Sequence, residues 1–231
     1  MKMPNKSLQT DNLRGVCIVV SLSFHCTTMQ TPHKLRLSEA LGQKMAHRSP
    51  LKNIIIESWY QCIENHYSMQ RINSERSLQA SLWTHLDKNL PETRRMFIEP
   101  SVHMETVNGP KRVYPDLAIC NTREVIAIIE LKYQPRTQPT YKKDIASLNM
   151  LSRYRKKLKL SNTRFRGTES DAREYPFSSN MLFVWAGIHG NLKQEQQYQY
   201  CRGMRYLDKG YVELHAETSH DESPCVYEQK P

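Results

Sequence analysis

The stretch YPDLAICNTREVIAIIELKY, residues 114–133, sets two apolar runs on either side of a short polar turn and places charge inside both of them. The charged residues are Asp116, Glu130 and Lys132. Buried strands carry such groups only when they are paired, hydrogen-bonded or bound to a metal. RVYPDLAIC (112–120) and VIAIIELKY (125–133) read as two strands of a hairpin joined around NTRE. Strand side chains alternate between faces, so Glu130 and Lys132 share one face while Ile129 and Leu131 take the other. A three-residue turn, Thr122 to Glu124, would set Asp116 directly across from Glu130, whereas a two-residue turn shifts the match by one position.

Working outward, residues 51–70 place Ile55, Trp59, Cys62 or Ile63, and His66 at helical spacing. His66 on that face reads as a satisfied core histidine. A second helix follows in NSERSLQASLWTHLDKNLP: Asn73 or Ser74 caps it, Pro91 stops it, and Leu78, Leu82, Leu86 and Leu90 form its apolar stripe. Glu75 lies three residues before Leu78, on that stripe at its N-terminal end, where the helix dipole also favours an acid. RRMFIEPSVHMETV (94–107) has strand character broken at Pro100, and NGPK (108–111) marks a turn.

YKKDIASLNMLSRYRKKLKL (141–160) reads as a helix with Ile145, Leu148, Leu151 and Leu158 along one side, and SNTRFRGTESDARE (161–174) as a polar loop. MLFVWAGIHG (181–190) returns as a buried strand. Strand 125–133, helix 141–160 and strand 181–189 then form a βαβ unit with parallel strands. The expected class is α/β, a mixed sheet covered by helices. The expected organisation is an N-terminal arm (1–50), a core domain (51–190) and a C-terminal extension (191–231).

The chain has 231 residues and a formal net charge of +10, which makes a polyanion such as DNA or RNA the favoured partner over an acidic protein. Its basic residues concentrate at Arg153, Arg155, Lys156, Lys157 and Lys159, with Arg164 and Arg166 beyond them. Part of that excess answers the dipole at a helix C-terminus. Of the possible base-stacking aromatics Trp83, Trp185, Tyr133 and Tyr154, the tryptophans sit in apolar runs and read as core. The six cysteines form no CxxC pair, so neither a disulfide framework nor a zinc ribbon is indicated, and reduced thiols suit the cytoplasm. His215, His220 and Cys225 are loosely grouped in a polar tail and read as incidental. The run GVCIVVSLSF (15–24) resembles a signal-peptide core but lacks a small-x-small cleavage site and is too short to span a bilayer. It reads as an extra strand or a loosely ordered arm, or the functional chain starts later, at Met29 or Met45.

Two converging carboxylates offer a hard oxygen site for Mg²⁺, with Mn²⁺ as a substitute. Such a metal polarises a phosphate and acidifies water, and a neighbouring lysine stabilises the charge that develops on the phosphate. Glu75 could complete the metal shell directly or through water. A cross-strand ion pair is the structural alternative for the same residues.

With those residues in view, YPDLAIC…VIAIIELKY resembles the signature of the PD-(D/E)xK nuclease superfamily, the restriction-endonuclease-like fold. The family's α-β-β-β-α-β core matches the order read across residues 73–190. The resemblance implies Asp116 and Glu130 as metal ligands, Lys132 as the catalytic lysine, Glu75 as an auxiliary acid, and Lys142 and Lys143 as phosphate contacts. It also implies hydrolysis to a 5′-phosphate and a 3′-hydroxyl. IASLNMLSRY lacks the Gln-x-x-x-Tyr of the RecB-like branch, and no DNA-reading module accompanies the core. A homodimer would let two sites cut a duplex. A catalytically silent nucleic-acid-binding or scaffold protein on the same fold is the alternative.

Overall fold

The computed structural model describes residues 49–106, 109–140, 142–190, 207, 210–218 and 224–229. The apolar run 15–24, both later methionine starts and His220 lie outside them. Helix α1 (Ser49–Cys62) continues into a π turn (Ile63–Tyr67). Pro50 opens α1, where its missing N–H costs nothing. Helix α2 (Glu75–Asn89) begins at Ser74, whose hydroxyl accepts from Ser77 N–H while Ser77 caps in return. Leu78, Leu82 and Leu86 are buried as their spacing predicts, and Leu90 is half-buried. His66 is half-buried and bonded to the Ser81 hydroxyl at 2.6 Å, so it is satisfied at the edge of the core and not inside it.

The strands are β1 (Arg95–Ile98), β2 (Val102–Thr106), β3 (Gly109–Val113), β4 (Leu117–Cys120), β5 (Val125–Gln134), β6 (Leu158–Arg166), β7 (Glu169–His189), β8 (Tyr211–Glu217) and β9 (Cys225–Gln229). They form one mixed sheet ordered β1-β4-β5-β7-β6-β2-β3, with β8 added on β7 and β9 on β8. The expected α/β class, a mixed sheet flanked by helices, is what the chain forms. β5 runs parallel to β7, as the βαβ reading requires, with Glu130 in register with Trp185 and Lys132 with Gly187. Helix α3 (Lys142–Tyr154) lies between them in sequence. Alternate residues feed two cores. Leu117, Ile119, Ile129 and Leu131 pack with α1 and α2, while Ala118, Ile128, Phe183 and Trp185 pack with α3 and with Val102 and Leu160.

Four local readings need correction. The run 112–120 is two strands, because Pro115 has no N–H to donate and the chain leaves the sheet at Tyr114–Asp116. The reading of NGPK as a turn does not hold for Gly109–Lys111, since Gly109 (φ +100°) pairs with Thr106 and opens β3. The helix 141–160 ends at Tyr154; after the short turn Arg155–Lys157, Leu158 starts β6. The polar "loop" 161–174 is a β6–β7 hairpin turning near Gly167 (φ +62°). Its residues are mostly exposed, so no apolar alternation announced it.

Residues beyond 190, set apart in sequence as an extension, contribute β8 and β9 to the same sheet. Helix α1 holds them through Trp59 Nε1–H to the His215 carbonyl (3.3 Å) and Lys52 to Glu228 (2.5 Å). His215 is therefore a core residue, not part of a polar tail. His189 Nδ1 bonds the Gly190 carbonyl at 2.6 Å, His189 Nε2 meets His215 Nδ1 at 2.8 Å, and His215 Nε2 meets Glu213 at 3.1 Å. A carbonyl only accepts, so His189 donates from Nδ1. Burial pushes His189 down to about 4, so it is neutral at pH 7 and must accept at Nε2 from His215. The Trp185 ring covers this network on one side, lying 5.3 Å from His215.

Trp185 also fills the space above Gly187, where an added Cβ would sit 2.2 Å from the indole. Gly187→Ala should therefore destabilise the fold by roughly 1–3 kcal/mol, the usual cost of overpacking a core, read as a lower urea midpoint at unchanged slope.

Candidate active site

The site forms where β5 outruns β4. Leu117 pairs with Ile129, which sets Asp116 opposite Glu130. This is the register expected of a three-residue turn, reached differently. A bulge between Ile119 and Cys120 brings Cys120 against Val125, and the loop Asn121–Glu124 closes on the Asn121 side chain, which accepts from the N–H groups of Arg123 (2.7 Å) and Glu124 (2.8 Å). Beyond Leu117 no strand of the described residues covers this edge of β5, and two carboxylates take its exposed donors. Leu131 N–H donates to Asp116 Oδ2 at 2.6 Å, and Tyr133 N–H to Glu75 Oε2 at 3.3 Å.

Asp116 is held from behind as well. Its carbonyl accepts the Glu99 N–H (3.0 Å) and the buried Gln79 amide (2.8 Å). Glu99 adopts φ +45°, a left-handed conformation rare outside glycine, at the bend where β1 passes to β2. Lys132 Nζ lies 3.8 Å from Glu75 Oε2 and 3.8 Å from Asp144 Oδ2. Glu75 comes from α2 on one side of the sheet and Asp144 from α3 on the other, so the ammonium is flanked from both layers.

All four sequence-predicted residues, Asp116, Glu130, Lys132 and Glu75, therefore meet at one end of β5. Asp144 and Gln79 join them unannounced. A signal for Asp144 was present: it precedes Leu148 and Leu151 by four and seven residues, on the buried stripe of α3, as Glu75 does on α2. Gln79 likewise stands one turn after Glu75.

Burial dominates the electrostatics. It pushes the Asp116 carboxyl up to about 6, with the Glu75 and Asp144 charges adding to the rise and the Leu131 N–H and the Glu130 hydroxyl opposing it. Glu130 is pushed up to about 9, first by burial and then by the Asp116 and Asp144 charges. At neutral pH Glu130 thus carries a proton and donates it to Asp116. Asp144 is raised by burial, with Lys132 and the nearby Trp185 indole pulling it back.

Among the described residues no three His, Cys, Asp or Glu side chains make a ready-built metal cage. The Asp116–Glu130 pair still suits a hard cation. Mg²⁺ commonly takes one or two carboxylates and completes its shell with water and phosphate oxygen. A cation there would replace the proton the pair now shares.

The predicted nucleic-acid contacts divide. Lys142 and Lys143 are exposed beside Asp144. Arg153, Arg155, Lys156 and Lys157 sit at the other end of α3, roughly 14–20 Å away at 1.5 Å per residue. Arg164 and Arg166 are in register with Asp171 and Glu169 across the hairpin, and Lys159 is paired with Glu174 at 2.7 Å. Trp185 is fully buried and Trp83 half-buried against the core, as their apolar runs predict. Cys62 and Cys120 are buried free thiols. No helix of the described residues is long and apolar enough to cross a membrane. No protein-family model, curated protein or solved structure matches the chain.

Glu130 keeps its proton in the folded chain but loses it near 4.5 when unfolded, so ionising it costs stability increasingly as pH rises from 4.5 towards 9. Glu130→Gln removes that cost. In EDTA its melting temperature should exceed that of the native chain at pH 8 and converge with it near pH 5, the difference growing by at most about 1.4 kcal/mol per pH unit.

Proposed function

We propose that this protein is a metal-dependent nuclease that hydrolyses phosphodiester bonds of nucleic acid, DNA foremost, in the cytoplasm. The observation that carries the reading is the convergence of Asp116, Glu130 and Lys132 at the uncovered end of β5, with Glu75 and Asp144 on either side. The element order also supports the restriction-endonuclease-like, PD-(D/E)xK reading: a helix bearing an acid, antiparallel strands, the Glu-x-Lys strand, a crossover helix and a parallel strand. The β6–β7 hairpin is an addition to that plan.

Asp116 and Glu130 would hold Mg²⁺ or Mn²⁺, which when bound supplies a Lewis acid for the phosphate and acidifies water. The chain's own residues do the rest. Asp116 is immobilised by its Leu131, Glu99 and Gln79 bonds, so its carboxylate needs little reorganisation. Glu130, which carries a proton at neutral pH, would have to release it for the pair to hold a cation. Lys132, steered between Glu75 and Asp144, keeps N–H donors for the attacking water and for the charge growing on the phosphate oxygens.

The two ion pairs of Lys132 also suit a second reading, a catalytically silent nucleic-acid-binding or scaffold protein. Cleavage separates the two. Supercoiled plasmid and end-labelled single-stranded DNA are incubated with Mg²⁺, Mn²⁺ or EDTA. Metal-dependent cutting should fall by roughly 100-fold or more in folded Lys132→Ala and Asp116→Asn, the scale of removing one transition-state interaction. Identical trace activity in all three proteins would sink the nuclease reading. Mg²⁺ should also raise the melting temperature of the native chain and of Lys132→Ala but not of Asp116→Asn, by mass action on the folded state. Asp144→Asn, which loosens Lys132 without touching the Asp116–Glu130 pair, should lower the rate while keeping that Mg²⁺ shift.

A further inference from the structure

We infer that the nucleic acid is gripped by a ring of exposed cations around the carboxylates (Arg71, Arg76, Arg136, Lys142 and Lys143), not by the denser basic run at 153–157. The inference rests on the proposed nucleic-acid substrate and says where it lies.

Three separate segments deliver the ring. Arg71 and Arg76 flank Ile72–Glu75, which is tied to β5 by Tyr133 O–H to the Ile72 carbonyl (3.2 Å) and by Tyr133 N–H to Glu75. Arg136 follows Tyr133 by three residues, in the turn where Thr137 N–H bonds the Gln134 carbonyl (3.1 Å). Lys142 and Lys143 run directly into Asp144, and so to Lys132. All five side chains are exposed, and none forms a salt bridge among the described residues.

The helix dipole separates functional from structural charge. Arg76 lies in the first turn of α2, and Lys142 and Lys143 are the first residues of α3. The partial positive charge at a helix N-terminus disfavours cations there. Three basic residues thus stand where local energetics oppose them, as expected of residues kept for another purpose. The run Arg153–Lys157 ends α3, where the dipole welcomes cations, so stability alone accounts for it. Arg153 is moreover laid over the Tyr154 ring, 5.2 Å from its centroid.

Charge balance points the same way. Glu75, Asp116, Glu130 and Asp144 against Lys132 leave a net negative site when ionised, and that would repel a phosphate backbone. A ring of five cations, joined by the positive ends of two helices, reverses the field at the site's mouth.

Binding of fluorescein-labelled single-stranded and duplex DNA is measured by anisotropy in EDTA, across a salt series, so that cleavage plays no part. Arg136→Gln and the double variant Lys142→Gln/Lys143→Gln should each weaken binding several-fold. Every phosphate-binding cation removed should also flatten the plot of log affinity against log salt by about 0.7 on single strands or 0.9 on duplex. Lys156→Gln/Lys157→Gln should match the native chain in both. The Lys142/Lys143 variant should melt no lower than the native chain, which excludes unfolding as the cause. Equal losses in the ring and 156/157 variants, or a loss only in the latter, overturn the inference while leaving a nucleic-acid role intact. Failure of the native chain to bind either DNA at low salt overturns both.

Discussion

The candidate site depends on a hydrogen-bonding gap. β5 extends to Gln134, but β4 stops at Leu117 because Pro115 cannot donate and the chain turns away at Tyr114–Asp116. Backbone N–H groups do not stay unpaired inside a protein. The two left bare, at Leu131 and Tyr133, recruit the Asp116 and Glu75 carboxylates. A third acid, Glu130, lies in register with Asp116, so the accounting of the sheet edge itself gathers acids at one point. Carboxylates that serve as substitute strand acceptors are thereby held in fixed positions, the condition an active site needs.

That gathering is costly, and the cost is informative. Burial and mutual repulsion push Asp116, Glu130 and Asp144 upward together, and only one lysine lies between the flanking acids to offset them. A structural ion-pair cluster would have no use for the surplus of carboxyls. Cations at the starts of α2 and α3 oppose local preference in the same neighbourhood. Several local rules broken at one spot, while the rest of the sheet obeys alternation and burial, mark that spot as the place where function outweighs stability.

Much of the architecture was legible because its signals are local. The leucine stripe of α2, the Ser74 cap, the parallel β5–β7 pair and the shared face of Glu130 and Lys132 follow from periodicity and turn chemistry. The β6–β7 hairpin was hidden because most of its side chains face water, leaving no pattern to detect. β8 and β9 were hidden for another reason: a long polar segment separates them from β7, and only pairing with β7 and packing under α1 shows them to be part of the sheet.

By itself the sequence determined which residue types lie on which face of each element, and so that an acid and a base share a face on β5; the bulge between Ile119 and Cys120 decided that Asp116 stands opposite Glu130. Tertiary structure alone decided that Glu75 and Asp144, 69 positions apart in the numbering and on opposite sides of the sheet, both reach Lys132. It also decided that Gln79 braces Asp116 and that burial pushes the Asp116, Glu130 and Asp144 carboxyls upward together. The physical reason is that facing and capping are set by neighbours along the chain, whereas burial and electrostatic coupling are collective and exist only once the layers have closed.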